Sequence, residues 1–99
     1  MSSQAKFITR AKLLKAMAHP TRLFILDELS RGERCVCEIV DLVKHDFSTI
    51  SKHLTLMKTA GLIEDRKAGL NVFYKLRCRC VIDSLECVER LLKERRIKK

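Results

Sequence analysis

Few positions in this 99-residue chain can break or reverse it: proline occurs once, glycine three times, and tryptophan is absent. No run of 18 or more apolar residues occurs, which excludes a membrane-spanning helix. The opening residues, Met1 to Lys6, have neither the apolar stretch nor the small-residue cleavage site of a signal peptide, so a cytoplasmic protein is expected. No glycine-rich phosphate loop, H-E-x-x-H zinc motif or aspartate pair stands out, and an enzyme reading has little to rest on. Linkers, low-complexity tracts and internal repeats are also missing. The length leaves no room for a second core, so residues 1–99 are expected to form one domain.

Positive charge, by contrast, is in excess. Lys and Arg number 21 against 12 Asp and Glu, a net charge of +9 that suits a polyanionic partner through steering and counterion release. Hydrophobic residues make up 46% of the chain, enough for one modest core that a partner subunit would help to cover. Cysteines are abundant: Cys35, Cys37, Cys78, Cys80 and Cys87. Their odd number and paired spacing, without a secretion signal, argue against a disulfide framework. Reduced thiols would be open to a soft metal, a metalloid or redox chemistry.

Apolar spacing sets the order of elements. Phe7, Ala11, Leu14 and Ala18 form a helical stripe over Phe7–Ala18, which His19-Pro20 breaks. Pro20 suits the first turn of a second helix to about Ser30, with Gly32 as its stop. Ile39, Val40 and Val43 mark a short third helix over Val36–Val43. After a turn at Lys44-His45-Asp46, Asp46 caps a fourth helix ending near Thr59, with Ile50, Leu54 and Met57 on one side. Gly61 closes it, and the period then falls to 2 in Leu62–Lys67 and Asn71–Leu76, joined by Ala68-Gly69-Leu70. A last helix over Arg79–Arg95 carries Val81, Leu85, Val88 and Leu92, and the basic tail from Lys93 to Lys99 is expected to fray.

The predicted fold is therefore mostly α with a β-hairpin wing, a winged helix-turn-helix in the order four helices, two strands, one helix. The second helix of such a pair lies in the DNA major groove. Its N-terminal residues Ser48, Thr49, Ser51 and Lys52 are the candidates for base edges, since hydroxyls meet donors or acceptors and lysine favours guanine. Lys44, His45, His53 and Lys58 surround it as candidate backbone contacts, while His19 serves the helix junction. Arg66, Lys67 and Asn71, at or near the hairpin tip, could reach the flanking minor groove or its phosphates.

Four stretches together carry a specific family resemblance. They are Leu14-Lys15-Ala16-Met17-Ala18-His19-Pro20-Thr21-Arg22-Leu23; Arg34-Cys35-Val36-Cys37-Glu38-Ile39; Ser48-Thr49-Ile50-Ser51-Lys52-His53-Leu54 with Lys58-Thr59-Ala60-Gly61-Leu62-Ile63; and Val72-Phe73-Tyr74-Lys75-Leu76. Over residues 8 to 95 the chain closely resembles the ArsR/SmtB family of metal- and metalloid-responsive repressors. The resemblance implies a homodimer built on the first and last helices, binding to an imperfect inverted repeat in double-stranded operator DNA, and release by an inducer. Such a dimer would also cover Phe7, Leu14, Val81 and Leu85.

In the arsenic-responsive branch, a Cys-Val-Cys at the start of the third helix supplies thiolates to As(III) or Sb(III), and Cys35-Val36-Cys37 stands there. Residues two apart point about 200° around an ideal helix, so both sulfurs meet one ion only if the helix start is frayed or distorted. Such distortion would move the DNA-reading neighbour. A third cysteine, three residues after the second, belongs to the best-known arsenic motif; this chain has Val40 there. Cys78 and Cys80 fall on the early positions of the family's last-helix zinc site, whose late positions would be Leu91 and Glu94. Leu91 cannot ligate, so any ion there would be held by sulfur. The resemblance implies no cofactor for folding.

Other readings remain open at this level. The effector could be a soft divalent or monovalent ion (Cd(II), Pb(II), Zn(II) or Cu(I)) or an oxidant or persulfide, with Cys78, Cys80 or Cys87 taking part. The thiols could instead be small buried hydrophobes, Cys87 above all. A cysteine-based metal-buffering protein or a non-specific architectural DNA binder are the readings of another class.

Overall fold

The computed structural model describes residues 3–96, with side chains described as far as Lys93. Helix α1 spans Ser3–Met17 and α2 Pro20–Leu29; strand β1, Arg34–Cys35, leads straight into α3, Val36–Val43. Helix α4 spans Phe47–Thr59, strands β2 and β3 span Ile63–Ala68 and Asn71–Leu76, and α5 spans Cys80–Arg96. Of the expected frayed tail, Ile97, Lys98 and Lys99 lie outside the described residues.

Local chemistry explains most boundaries. Pro20 disfavours helical backbone before it and tolerates the first helical position after it, so α1 ends at Met17 rather than Ala18. His19 is the N-cap of α2, its Nδ1 accepting the Thr21 N–H at 3.0 Å. Asp46 caps α4 as expected, accepting from the Thr49 N–H at 3.3 Å, and hydrogen bonding from the Thr49 side chain, with that backbone bond second, holds its carboxyl below the usual range. Between α3 and α4 the chain turns on Lys44, whose φ of 61° is left-handed.

The core is one cluster under the helix pair: Ile25, Leu26 and Leu29 of α2, Ile39 of α3, and Ile50, Leu54 and Met57 of α4. Ala16, Met17, Leu62, Ile63 and Ile82 close it. The expected last-helix stripe divides. Val81 and Leu85 are half-buried against this core, whereas Val88, Leu91 and Leu92 stay exposed. Helix α1 buries only Ala16 and Met17 and leaves Phe7, Ile8 and Leu14 in solvent.

The main departure from the expected order is β1. A two-residue strand stands before α3, making a three-stranded antiparallel sheet in the order β1-β3-β2. Arg34 pairs with Tyr74 and Cys35 with Phe73; on the other side of β3, Arg66 pairs with Phe73 and Ala68 with Asn71. The wing is thereby hydrogen-bonded to the entry of the first helix of the DNA-reading pair. Its tip turns at Gly69, at φ 62°, and leaves Leu70 fully exposed. Among the described residues no helix is long and apolar enough to cross a membrane.

Candidate DNA interface and thiol pair

Helix α4 presents a clear outer face because its inner face is fixed. With Ile50, Leu54 and Met57 buried, Ser48, Lys52, Thr55 and Thr59 recur along the exposed side. Thr49 and Ser51 are half-buried beside them. Thr55 and Thr59 were missed from sequence, although the spacing 48, 52, 55, 59 could have identified them.

The surrounding basic side chains fall into two groups. Lys44, His45, Lys52 and Lys67 are exposed, and among the described residues none has an ion-pair partner within the chain. Lys58 pairs with Asp65 of β2 at 3.0 Å. Arg66 is exposed but paired: its Nε and a terminal nitrogen both donate to the Glu33 carboxylate, and its guanidinium lies 4.9 Å above the Phe73 ring. This ion pair holds the Glu33 carboxyl below its usual range and raises Arg66. Arg66 thus ties the wing to the α2–β1 loop.

His53 is half-buried, its ring centroid 4.6 Å from that of His19. Burial depresses its pKa, and the neighbouring His19, Arg22 and His45 depress it further. It joins α4 to the start of α2. The proposed backbone contacts are therefore led by Lys44 and His45, with His53 in a mainly structural position.

The cysteines differ from one another more than the sequence indicates. Cys35 is 4% exposed and Cys37 exposed, and the two are paired sulfur to sulfur with Cα atoms 5.3 Å apart. Of the two ways the spacing allowed the sulfurs to meet, the start of α3 takes the non-helical one. Cys35 is not helical: it is the N-cap of α3 at φ −70° and ψ 147°, so its side chain is free of the 100° helical step. Its sulfur also accepts from the Cys37 N–H at 3.4 Å, and its own N–H donates to a Glu38 carboxylate oxygen at 2.8 Å. The two bonds form a capping box with sulfur in place of the usual hydroxyl.

Cys78, Cys80 and Cys87 are exposed, so burial does not describe Cys87 within one protomer. The Cys78 sulfur accepts from the Cys80 N–H at 3.3 Å, and its hydrogen bond with the Cys80 side chain lowers the Cys78 pKa and raises that of Cys80. Among the described residues no three Cys, His, Asp or Glu side chains gather as a metal site within the chain.

Comparison with known proteins adds to this geometry. Residues 19–65 match the profile of the arsR family of bacterial regulatory proteins. An uncharacterized HTH-type transcriptional regulator of Methanocaldococcus jannaschii is 44% identical over 70 residues, which cover 70% of this chain and 79% of that protein. The arsenical resistance operon repressor of Escherichia coli is 41% identical over 71 residues, covering 71% and 61%. The matches span about half the length of several other curated relatives. Among solved structures, the homodimeric winged helix-turn-helix DNA-binding domain (fragment 1–100) of a possible ArsR-family regulator from Mycobacterium bovis aligns with a TM-score of 0.84. Its identity is 30%, and the alignment covers 100% of this chain and 94% of that one.

Proposed function

This chain belongs to the ArsR/SmtB family of winged-helix transcriptional regulators, and from that premise we propose a homodimeric operator-binding repressor released by a thiol-binding effector at Cys35 and Cys37. The observation that carries the reading is the meeting of these two sulfurs at the cap of α3, directly before the helix α4 that would read DNA.

Operator contacts follow from exposure. Exposed Ser48 and Lys52, with half-buried Thr49 and Ser51 beside them, are the proposed base-edge contacts; exposed Lys44 and His45 are assigned to the phosphates and Lys67 to the groove beside the wing. The exposed apolar residues of α1 and α5 supply the dimer surface, and the printed description of the M. bovis domain as homodimeric supports it.

The effector proposed is As(III) or Sb(III). Arsenous acid exchanges two hydroxyl groups for the two thiol sulfurs, releasing two waters and keeping one hydroxyl, which a small thiol can replace. That stoichiometry suits a site with two protein sulfurs in contact. Binding would take the Cys35 sulfur from the Cys37 N–H. Losing a side-chain cap costs a helix about 0.5–2 kcal/mol, and sulfur, a weak acceptor, belongs at the low end. A second reading is favoured by the sulfur-to-sulfur pairing itself: exchange of the two thiols with a small-molecule disulfide, which leaves as two thiols and forms an internal disulfide as the releasing event.

The test is an operator-release titration of fully reduced protein with As(III), Cd(II), Zn(II) and a disulfide oxidant, repeated on Cys35→Ser/Cys37→Ser. Release by As(III) in wild type only, with DNA binding retained in the variant, is expected. Continued release from the double variant moves the sensor elsewhere, with Cys78 and Cys80 next.

A further inference from the structure

The sheet offers a route from the thiol pair that does not pass through the helix-turn-helix. Residues directly opposite in antiparallel strands share a face, so Cys35, Phe73 and Arg66 lie side by side across β1, β3 and β2. Alternation along β3 puts Asn71 on the same face as Phe73, and its Oδ1 lies 4.0 Å from the Cys35 sulfur. Arg66, stacked on Phe73, is gripped through two nitrogens by Glu33, two residues before Cys35. The thiol that would take the effector is thus enclosed by groups that fix the wing.

We propose that Glu33, Arg66 and Asn71 are positioning residues linking the thiol pair to the wing, so that a ligand on Cys35 shifts the wing relative to α4. This rests on the reading of Cys35 and Cys37 as the effector site. A ligand on the Cys35 sulfur takes it from Asn71 and disturbs the two-residue pairing of β1 with Phe73. Strand β1 has no further residues with which to restore that pairing, and the Glu33–Arg66 pair carries the shift to β2. The Arg66 guanidinium acts as a latch and not as a DNA contact.

The test uses a chain with Cys78, Cys80 and Cys87 replaced by serine and with Leu70→Trp as a single fluorescent reporter on the wing tip. Phenylarsine oxide is the probe: it forms two As–S bonds with the two thiols, and its oxygen leaves with both protons as water. Mass spectrometry counts the adduct, tip fluorescence anisotropy reads the wing without DNA, and operator affinity is measured with and without the probe. The expected result is a reporter change on adduct formation that Glu33→Gln suppresses. Glu33→Gln should also lower probe-free operator affinity by about two- to thirtyfold. Losing a negative charge and freeing an arginine would raise affinity if Arg66 were only an electrostatic contact, so the sign separates the two roles. Allosteric coupling is typically about 5- to 150-fold, and in Glu33→Gln the probe's effect on affinity should fall below about threefold. A full adduct that releases DNA while the reporter stays still overturns the wing linkage and leaves the effector site standing. No adduct on Cys35 and Cys37 overturns both.

Discussion

Replacing Lys44 tests backbone geometry and DNA contact in one experiment, with opposite expected signs. Lys44 holds φ 61° and ψ 34° at the end of α3, with its N–H on the Val40 carbonyl at 2.9 Å. An L-residue in this region costs about 1–2 kcal/mol, whereas glycine pays nothing there but loses about 0.5–1 kcal/mol more on folding. Lys44→Gly should therefore stabilise by about 0.5–1 kcal/mol, roughly 2–8 °C in Tm for a protomer of this size. Melting must be compared at fixed protomer concentration, because association raises apparent stability. The same substitution removes an exposed cation beside α4, so operator affinity should fall and the log K against log[salt] slope flatten by about 0.9. Lys44→Asn is the control: asparagine tolerates the left-handed region and also lacks the charge, so it should share the affinity loss with a smaller thermal gain. A lower or unchanged Tm in both variants would refute the conformational argument. An unchanged salt slope would remove Lys44 from the interface.

Three further outcomes are expected. Lys67→Ala should weaken binding to all duplexes about equally and flatten the salt slope, as measured by fluorescence anisotropy from 50 to 200 mM salt; a sequence-dependent loss would instead make Lys67 a base reader. His53 has a folded pKa below its ordinary 6.5, so the unfolded chain binds its proton more readily. Its contribution is intact above about pH 6.5 and is lost as pH falls below that value, so denaturant melts from pH 7.5 to 5 should show a decline that His53→Asn reduces; an identical decline would put the sensitivity on another group. Leu54, fully buried in the core, should cost about 2–5 kcal/mol when replaced by alanine, and a chemical melt showing under 1 kcal/mol would contradict its placement.

Legibility followed the range of the forces involved. Residues Ile50, Leu54 and Met57, Asp46 as a cap and Gly69 at a turn are local signals, and each stands where the sequence put it. Strand β1 could not be read, because two residues are too short to display alternation and their pairing is with Phe73 and Tyr74 far along the chain. The extended cap conformation of Cys35, which β1 pairing fixes, was equally hidden, although the helix start at Val36 was legible. The ion pair of Arg66 with Glu33 was not legible, because the two lie 33 residues apart, a separation at which charge pattern alone identifies no pair. Val81 and Leu85 were assigned to a partner, and the chain's own core takes part of their surface.

The shortness of β1 also limits how this segment can change length. Glu33 is held by Arg66 on one side, and the Cys35 N–H is held by Glu38 on the other, leaving one residue between the two anchored positions. A single insertion there would exchange the faces of the strand, turning the first thiol away from Phe73 and Asn71. The helices that would grip DNA lie outside that interval. By the proposed linkage, insertion or deletion at Arg34 would both silence the response to a thiol ligand and, by slipping Glu33 from Arg66, lower operator affinity in the direction expected of Glu33→Gln.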